Sequence, residues 1–354
     1  MEKNTMKALV YQKPGRANGG VIDVPVPEYK DDEILIKVMA SSICKPADKN
    51  HDGKGSVIGR YPVTPGHEFA GIVEEVGANV TNFKPGDRIT ADNGTPCGKC
   101  YYCQRAMFTF CENFSSMGQN TNGAMAQYAV VKECNAVHVP GHVSLKAASL
   151  CELIGCAMRC IENADLKVGD VVAIFGVGAS GNLITQLALH SNAQKVVVFD
   201  CIQSKLDRVS AKGAIPILVD LDDYSKHEKE FLRMFPHGAN VVIDTTGDAE
   251  LMNRCPDLMA CEGKFIGYSF PTTSKRHVKL DMGKFIMKQL TYMGSNFQSH
   301  HFQRCVDALA NGVIDASIVI THTYPLEDYF EALDTNIQDP ECVKVTILPN
   351  GSIE

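Results

Sequence analysis

No stretch of the chain reaches the roughly eighteen consecutive apolar residues that a membrane-spanning helix needs. Met1-Glu2-Lys3-Asn4-Thr5 opens no apolar targeting segment, so the cytoplasm is the expected compartment. An excess of basic charge is also missing. Lys and Arg number 34 against 41 Asp and Glu, a net charge of −7, so nucleic acid and acidic membrane surfaces are not expected partners. Repeats of fixed period and low-complexity segments are absent as well. What is present is ordinary for a globular protein, 45% hydrophobic and 21% charged. The 354 residues exceed one comfortable core, so two domains are expected. The fourteen cysteines, in a reducing compartment, are expected as thiols or metal ligands and not as disulfides.

Pro65-Gly66-His67-Glu68, read with Cys44 upstream, offers a thiolate, an imidazole and a carboxylate, a donor mixture that suits tetrahedral Zn²⁺. His67 and Glu68 adjoin, and side chains of a regular strand alternate, so at most one could point to its inner face. Pro65 and Gly66 favour a turn in which both reach one centre. On these residues alone, a metal centre and an ordinary loop histidine fit about equally. Around them, short strands and dense turns indicate a β-rich first domain. Ile34, Ile36 and Val38 alternate with Leu35, Lys37 and Met39, which predicts a strand with one buried face.

Cys97, Cys100, Cys103 and Cys111 follow the spacing C-x2-C-x2-C, with the fourth cysteine eight positions on. Four thiolates around one ion leave no open position, the mark of a structural zinc site. A bacterial ferredoxin cluster would continue instead with three residues and a cysteine-proline pair. Lys146 to Cys160 has helical spacing, and Glu152 sits there among Leu150, Leu153 and Ile154, where an unpaired carboxylate is costly. A nearby cation would relieve it.

Val171 to Phe175 is an apolar run typical of a central parallel strand. Gly176-Val177-Gly178-Ala179-Ser180-Gly181 follows at once, then a helical pattern, and a second apolar run ends at Asp200, nineteen residues after Gly181. In that context the glycines predict a dinucleotide site. Gly176 makes the tight turn, Gly178 admits the pyrophosphate and Gly181 lets helix pack on strand. Asp200 would accept from ribose hydroxyls and repel a 2′-phosphate, favouring NAD over NADP. Strands follow at Asn240 to Asp244, before Thr245-Thr246-Gly247, at Gly263 to Gly267 and at Leu290 to Gly294. A helix from Phe302 to Ala310 is expected to stop at Asn311-Gly312, and the strand Val343 to Leu348 to rejoin the first domain.

Taken in order, these residues resemble the zinc-dependent medium-chain dehydrogenase/reductase family over nearly the whole chain, most of all its sorbitol (polyol) dehydrogenase-like branch. The resemblance implies an α/β protein: a GroES-like β-rich catalytic domain over 1–155, with its zinc lobe at about 92–115. A doubly wound Rossmann NAD-binding domain over 156–296 would follow, with a return to the catalytic domain over 297–354 and the active site in a cleft between domains. Cys44, His67 and Glu68 would ligate the catalytic zinc, with Glu152 at or just beyond it and Cys151 as the alternative. The cysteine lobe would hold a second, structural zinc. Lys205 matches a contact to the adenosine ribose, and Ile266-Gly267-Tyr268 with Ser295-Asn296 match segments near the nicotinamide. Lys45 matches a basic contact to the pyrophosphate, a solvated surface lysine being the plain alternative.

The implied activity is NAD-linked oxidation of a polyol or sugar-alcohol phosphate to a ketone, in a homodimer or homotetramer. A simple secondary alcohol or L-threonine are alternative substrates, and a zinc-bearing nucleotide-binding protein with little turnover is an alternative of another class. One position departs from the family. Pro46 stands where Ser or Thr commonly passes on the alcohol proton, and proline has neither hydroxyl nor N–H. Glu152 or His51 is then the expected proton route.

Overall fold

The computed structural model describes residues 5–53, 59–269, 277–297 and 301–351. The chain forms two compact units. The first comprises Met1–Gly155, Ser299–Gly312 and Ile320–Glu354, and the second comprises Cys156–Gln298 and Val313–Val319. Among the described residues no helix is long and apolar enough to cross a membrane.

The first unit is built on a seven-stranded sheet around Glu33–Ser42. This strand pairs antiparallel with Glu68–Val76, with Tyr128–Lys132 and, at its end, with Lys344–Leu348. The alternation does not leave one face to solvent. Ile34, Ile36 and Val38 join the cluster of Phe69, Val73 and Ile89, but Leu35 is covered by Met6, Ala8 and Tyr128, and Met39 by Val139, Val143 and Leu145. The N-terminal hairpin Thr5–Tyr11/Gly19–Pro25 and the segment after His138 cover the second face, so both faces of the strand are apolar. The helix expected from Lys146 to Cys160 is two, Leu145–Ala148 and Cys151–Ala164. The break falls at Ser149, whose hydroxyl donates back to the Lys146 carbonyl at 2.7 Å and contacts Ser42 Oγ at 2.8 Å.

The second unit carries a six-stranded parallel sheet in the order Ile215–Leu218, Lys195–Asp200, Val171–Phe175, Ala239–Asp244, Met259–Gly267, Thr291–Gly294. Strand order reverses at Val171–Phe175, so the crevice at its carboxyl end is the switch point where such sheets bind nucleotides. Phe175, Phe199, Phe231 and Phe265 pack the core on one side of the sheet.

Candidate functional site

Register brings the first set of residues together. Ser42 lies opposite both Glu68 and Thr346. Cys44, two residues past Ser42, therefore emerges beside Glu68 and close to Lys344, two residues before Thr346. Glu68 opens its strand, and His67 stands just before it on a turn where Gly66 has φ +98°. A Cβ at Gly66 would come within 2.6 Å of the Met125 backbone nitrogen, so only glycine fits. His67 and Glu68 both escape strand alternation, because only Glu68 belongs to the strand. Donor atoms of Cys44, His67 and Glu68 lie within 4.8 Å of one another.

These donors fit a cation. Glu68 is 0% exposed, and Lys344 Nζ donates to its Oε1 at 2.8 Å. Nζ also lies 2.6 Å from Oε2, an ion-pair contact without hydrogen-bond geometry, so Oε2 is buried with no donor. Burial alone would oppose charge on Lys344, but Glu68, Cys44 and Glu152 hold it protonated. His67 shows the same field. Despite its burial, Cys44, Glu152 and Glu68 raise its pKa to about 10. A pocket that draws a proton this strongly onto a buried imidazole is one that a metal ion would neutralise. Three donors leave a fourth position open to substrate, as catalytic zinc sites require.

Glu152 is buried in the first turn of Cys151–Ala164, outside the three-donor group but within electrostatic reach of His67 and Lys344. Cys151 is fully buried and also outside the group, and burial pushes its thiol well up, away from the thiolate a metal needs.

The helix that follows Cys44, Lys45–His51, is anchored from behind. Asp48 accepts from the Cys44 backbone N–H at 2.8 Å and from the Tyr329 hydroxyl at 2.6 Å. His51 sits 2.8 Å from the Gly118 carbonyl through Nε2, which must therefore carry the proton, and its Nδ1 accepts from the Tyr61 hydroxyl at 3.0 Å. Burial holds its pKa below the ordinary value. Lys45 is exposed, its Nζ 3.5 Å from the Ile337 carbonyl. Lys344, Tyr329 and Tyr61 were not singled out from sequence. Lys344 did carry a signal, a charge inside the apolar run Val343 to Ile347.

The four lobe cysteines form a second donor group, sulfurs again within 4.8 Å of one another and all unpaired as disulfides. Backbone N–H groups point at the sulfurs: Cys97 and Asn113 donate to Cys111 at 3.2 and 3.4 Å. The amides of Cys103 and Glu112 pull the Cys100 thiol down to about 6, and that of Lys99 lowers Cys97. Burial and the neighbouring sulfurs push Cys103 up to about 12. Four adjacent thiolates cannot all ionise without a cation between them, and four donors close the coordination shell.

In the second unit the glycine turn sits at the switch point. Gly176 has φ +88°, and a Cβ at Gly181 would lie 1.9 Å from the Gly176 carbonyl oxygen, so the helix Ala179–Leu189 can start only against glycine. Asp200 accepts from Val177 N–H at 2.7 Å and from Ile202 N–H at 3.0 Å, so the carboxylate is fixed at the strand end beside the turn. Gly178 is the N-cap of that helix, and Lys205 lies on the helix Gln203–Ser210 that follows Asp200. Ile266 and Gly267 end their strand. Tyr268 N–H donates to the Asp244 carbonyl at 3.0 Å, and Ser295 N–H, next to Asn296, donates to the Gly267 carbonyl at 2.9 Å.

Comparison with known proteins agrees with both units. Residues 30–141 match the alcohol dehydrogenase GroES-like domain and residues 179–311 the zinc-binding dehydrogenase domain. The chain is 31% identical to D-arabinitol dehydrogenase 1 of Uromyces fabae over 98% of its own length and 97% of that protein. It is 28% identical to L-threonine 3-dehydrogenase of Bacillus subtilis, over 99% and 100%. Among solved structures, one from Sinorhizobium meliloti described as a zinc-binding dehydrogenase bound to NADP superposes with a TM-score of 0.89. It is 27% identical and covers 98% of this chain, which covers 99% of it. With a three-donor and a four-donor metal group and a glycine turn at the switch point of a parallel sheet, this chain belongs to the zinc-dependent medium-chain family of NAD(P)-linked alcohol and polyol dehydrogenases.

Proposed function

We propose that the chain oxidises a secondary alcohol of a polyol, or of a sugar-alcohol phosphate, to the ketone, with NAD as hydride acceptor. The observation that carries this reading is the contrast between the two donor groups, four cysteines closed on themselves and Cys44, His67 and Glu68 with a position to spare. Zinc held by those three residues would act as a Lewis acid on the substrate oxygen and lower the alcohol's pKa. Around it, the chain supplies buried carboxylates suited to a substrate rich in hydroxyl donors. Lys344 is engaged by Glu68, which makes it a poor partner for the carboxylate of an amino-acid substrate. Asp200, anchored by Val177 and Ile202, would receive the ribose hydroxyls and disfavour a 2′-phosphate.

The test is NADH formation across sugar alcohols, their phosphates, simple secondary alcohols and L-threonine, with NAD and NADP, before and after chelation. A polyol or its phosphate with NAD should give the highest kcat/KM, and chelation should abolish it. Activity indifferent to chelation, or highest with L-threonine, would overturn the reading.

Within it, Glu152 takes the alcohol proton, in place of the hydroxyl missing at Pro46. His51 is less suited, since its Nε2–H is tied to a carbonyl that cannot accept a proton and its Nδ1 already accepts from Tyr61. Glu152→Gln should lower kcat about a hundredfold, the lower end of general-base contributions. His51→Gln should leave the pH–rate profile in place. A profile displaced by His51→Gln and untouched by Glu152→Gln would reverse the assignment.

A further inference from the structure

Asp244-Thr245-Thr246-Gly247, at the end of the strand next to the glycine turn, is a self-organised turn with no assigned role. Asp244 is 1% exposed, and its carboxylate accepts from Thr246 N–H at 3.1 Å, Thr246 Oγ1 at 2.6 Å and Gly247 N–H at 3.0 Å. That closure fixes the backbone of Thr245, whose N–H donates to the Phe175 carbonyl at 2.9 Å. The Thr245 hydroxyl then reaches across the switch point and shares its one hydrogen between two carbonyls, Phe175 at 2.9 Å and Gly176 at 3.0 Å.

The hydroxyl is wedged against the motif glycines themselves. A Cβ on Gly176 would lie 2.7 Å from Thr245 Oγ1, and one on Gly181 would lie 2.9 Å from it. The space that these glycines leave open is thus partly filled by Thr245. The turn is gripped from two sides, by the Asp200 carboxylate on Val177 N–H and by the Thr245 hydroxyl on Phe175 and Gly176. Gly176 N–H is itself held by the Phe199 carbonyl at 2.7 Å, and the helix Ala179–Leu189 begins just past the gripped carbonyls, its first turn supplying the kind of N–H donors that a pyrophosphate takes.

We propose that Thr245 is a positioning residue for the dinucleotide, acting only through the glycine turn that its hydroxyl holds in shape. The inference rests on nicotinamide-dinucleotide binding at this turn and is independent of the alcohol oxidised. Thr245→Ala should raise the Kd for NADH about tenfold, the scale on which one hydrogen bond counts. Thr245→Ser, which keeps the hydroxyl, should stay within about twofold of the parent. The chain has no tryptophan, so NADH emission can be titrated directly, with NADPH as a second probe. KM for the cofactor should rise in Thr245→Ala while kcat at saturating cofactor and zinc content hold.

An unchanged Kd in Thr245→Ala would overturn the proposal, as would equal losses in the Ala and Ser variants, which would assign the effect to the methyl group. Should the Ala variant not fold, Thr245→Cys replaces the hydroxyl with a weak donor, and its Kd relative to Ser decides in the same way. Failure of the parent protein to bind either dinucleotide would instead remove the reading on which the proposal rests.

Discussion

Lys344→Met is expected to destabilise the metal-free protein by about 3–5 kcal/mol, the usual consequence of removing one partner from a buried ion pair. Glu68 is 0% exposed at its side chain and Lys344 5%, with Nζ 2.8 Å from Oε1 and 2.6 Å from Oε2. Methionine fills a similar volume, so little of the loss would come from a cavity. The metal-loaded protein should lose much less, because an ion on Glu68 supplies the counter-charge that Lys344 no longer does. The measurement is urea denaturation of parent and variant, each with and without chelator. Comparing the two proteins within each condition cancels the contribution of the cysteine lobe, which chelation also strips. Glu68→Gln combined with Lys344→Met removes both charges of the pair and should recover most of the metal-free loss. A metal-free variant as stable as the parent would show that Lys344 does not hold Glu68.

That pair marks the boundary of what the sequence disclosed. The cysteine lobe and the glycine turn are local, their spacing is itself the geometry, and both were legible as motifs. Cys44, His67 and Glu68 were legible as donor types, but their meeting depends on a pairing register, Ser42 opposite Glu68, that no local pattern announces. Lys344 reaches Glu68 across 276 positions of chain. A charge within an apolar run needs a partner, at Lys344 between Val343 and Val345 as at Glu152, and the pattern marks the residue without marking the partner. Thr245 was legible only as punctuation after a strand. Its role emerges once the parallel sheet places that strand end beside Phe175 and Gly176. His51, a residue type suited to proton transfer, has both ring nitrogens hydrogen-bonded, to Gly118 and to Tyr61, which its sequence neighbours do not announce.

Cys100→Ser is expected to take zinc from two to one per chain and to open the lobe to proteolysis, leaving the Cys44 centre loaded. The reason lies in how little else holds the lobe. Its core is Cys100, Cys103 and Cys111, with Cys97, Tyr102, Phe108 and Phe114 partly buried around them. Its regular structure is two three-residue turns, Cys103–Arg105 and Phe108–Phe110, above a two-residue pairing of Gly94–Thr95 with Ser115–Ser116. Tyr101 and Phe110 are more than half exposed. So small a cluster cannot offset the ordering of some fifteen residues, at about 1–2 kcal/mol of backbone entropy each. An ion bound with an apparent 10–16 kcal/mol, the range of structural zinc in small domains, brings most of the difference. Serine keeps the size of cysteine but not its thiolate, so the shell is broken without a steric change. Metal analysis and limited trypsin digestion at Lys99 and Arg105 check the result. Cys134→Ser, at an exposed cysteine of the same unit outside both donor groups, is the control and should retain two zincs and the parent's digestion pattern. The damage should also travel inward: Ser116 and Met117 close the lobe's base through Asn93, and Gly118, the next residue, holds His51. Turnover should therefore fall in Cys100→Ser even with the Cys44 centre occupied. One zinc per chain with intact protease resistance in that variant would mean that the lobe stands without its ion, and two zincs per chain would mean that the ion does not need the Cys100 thiolate.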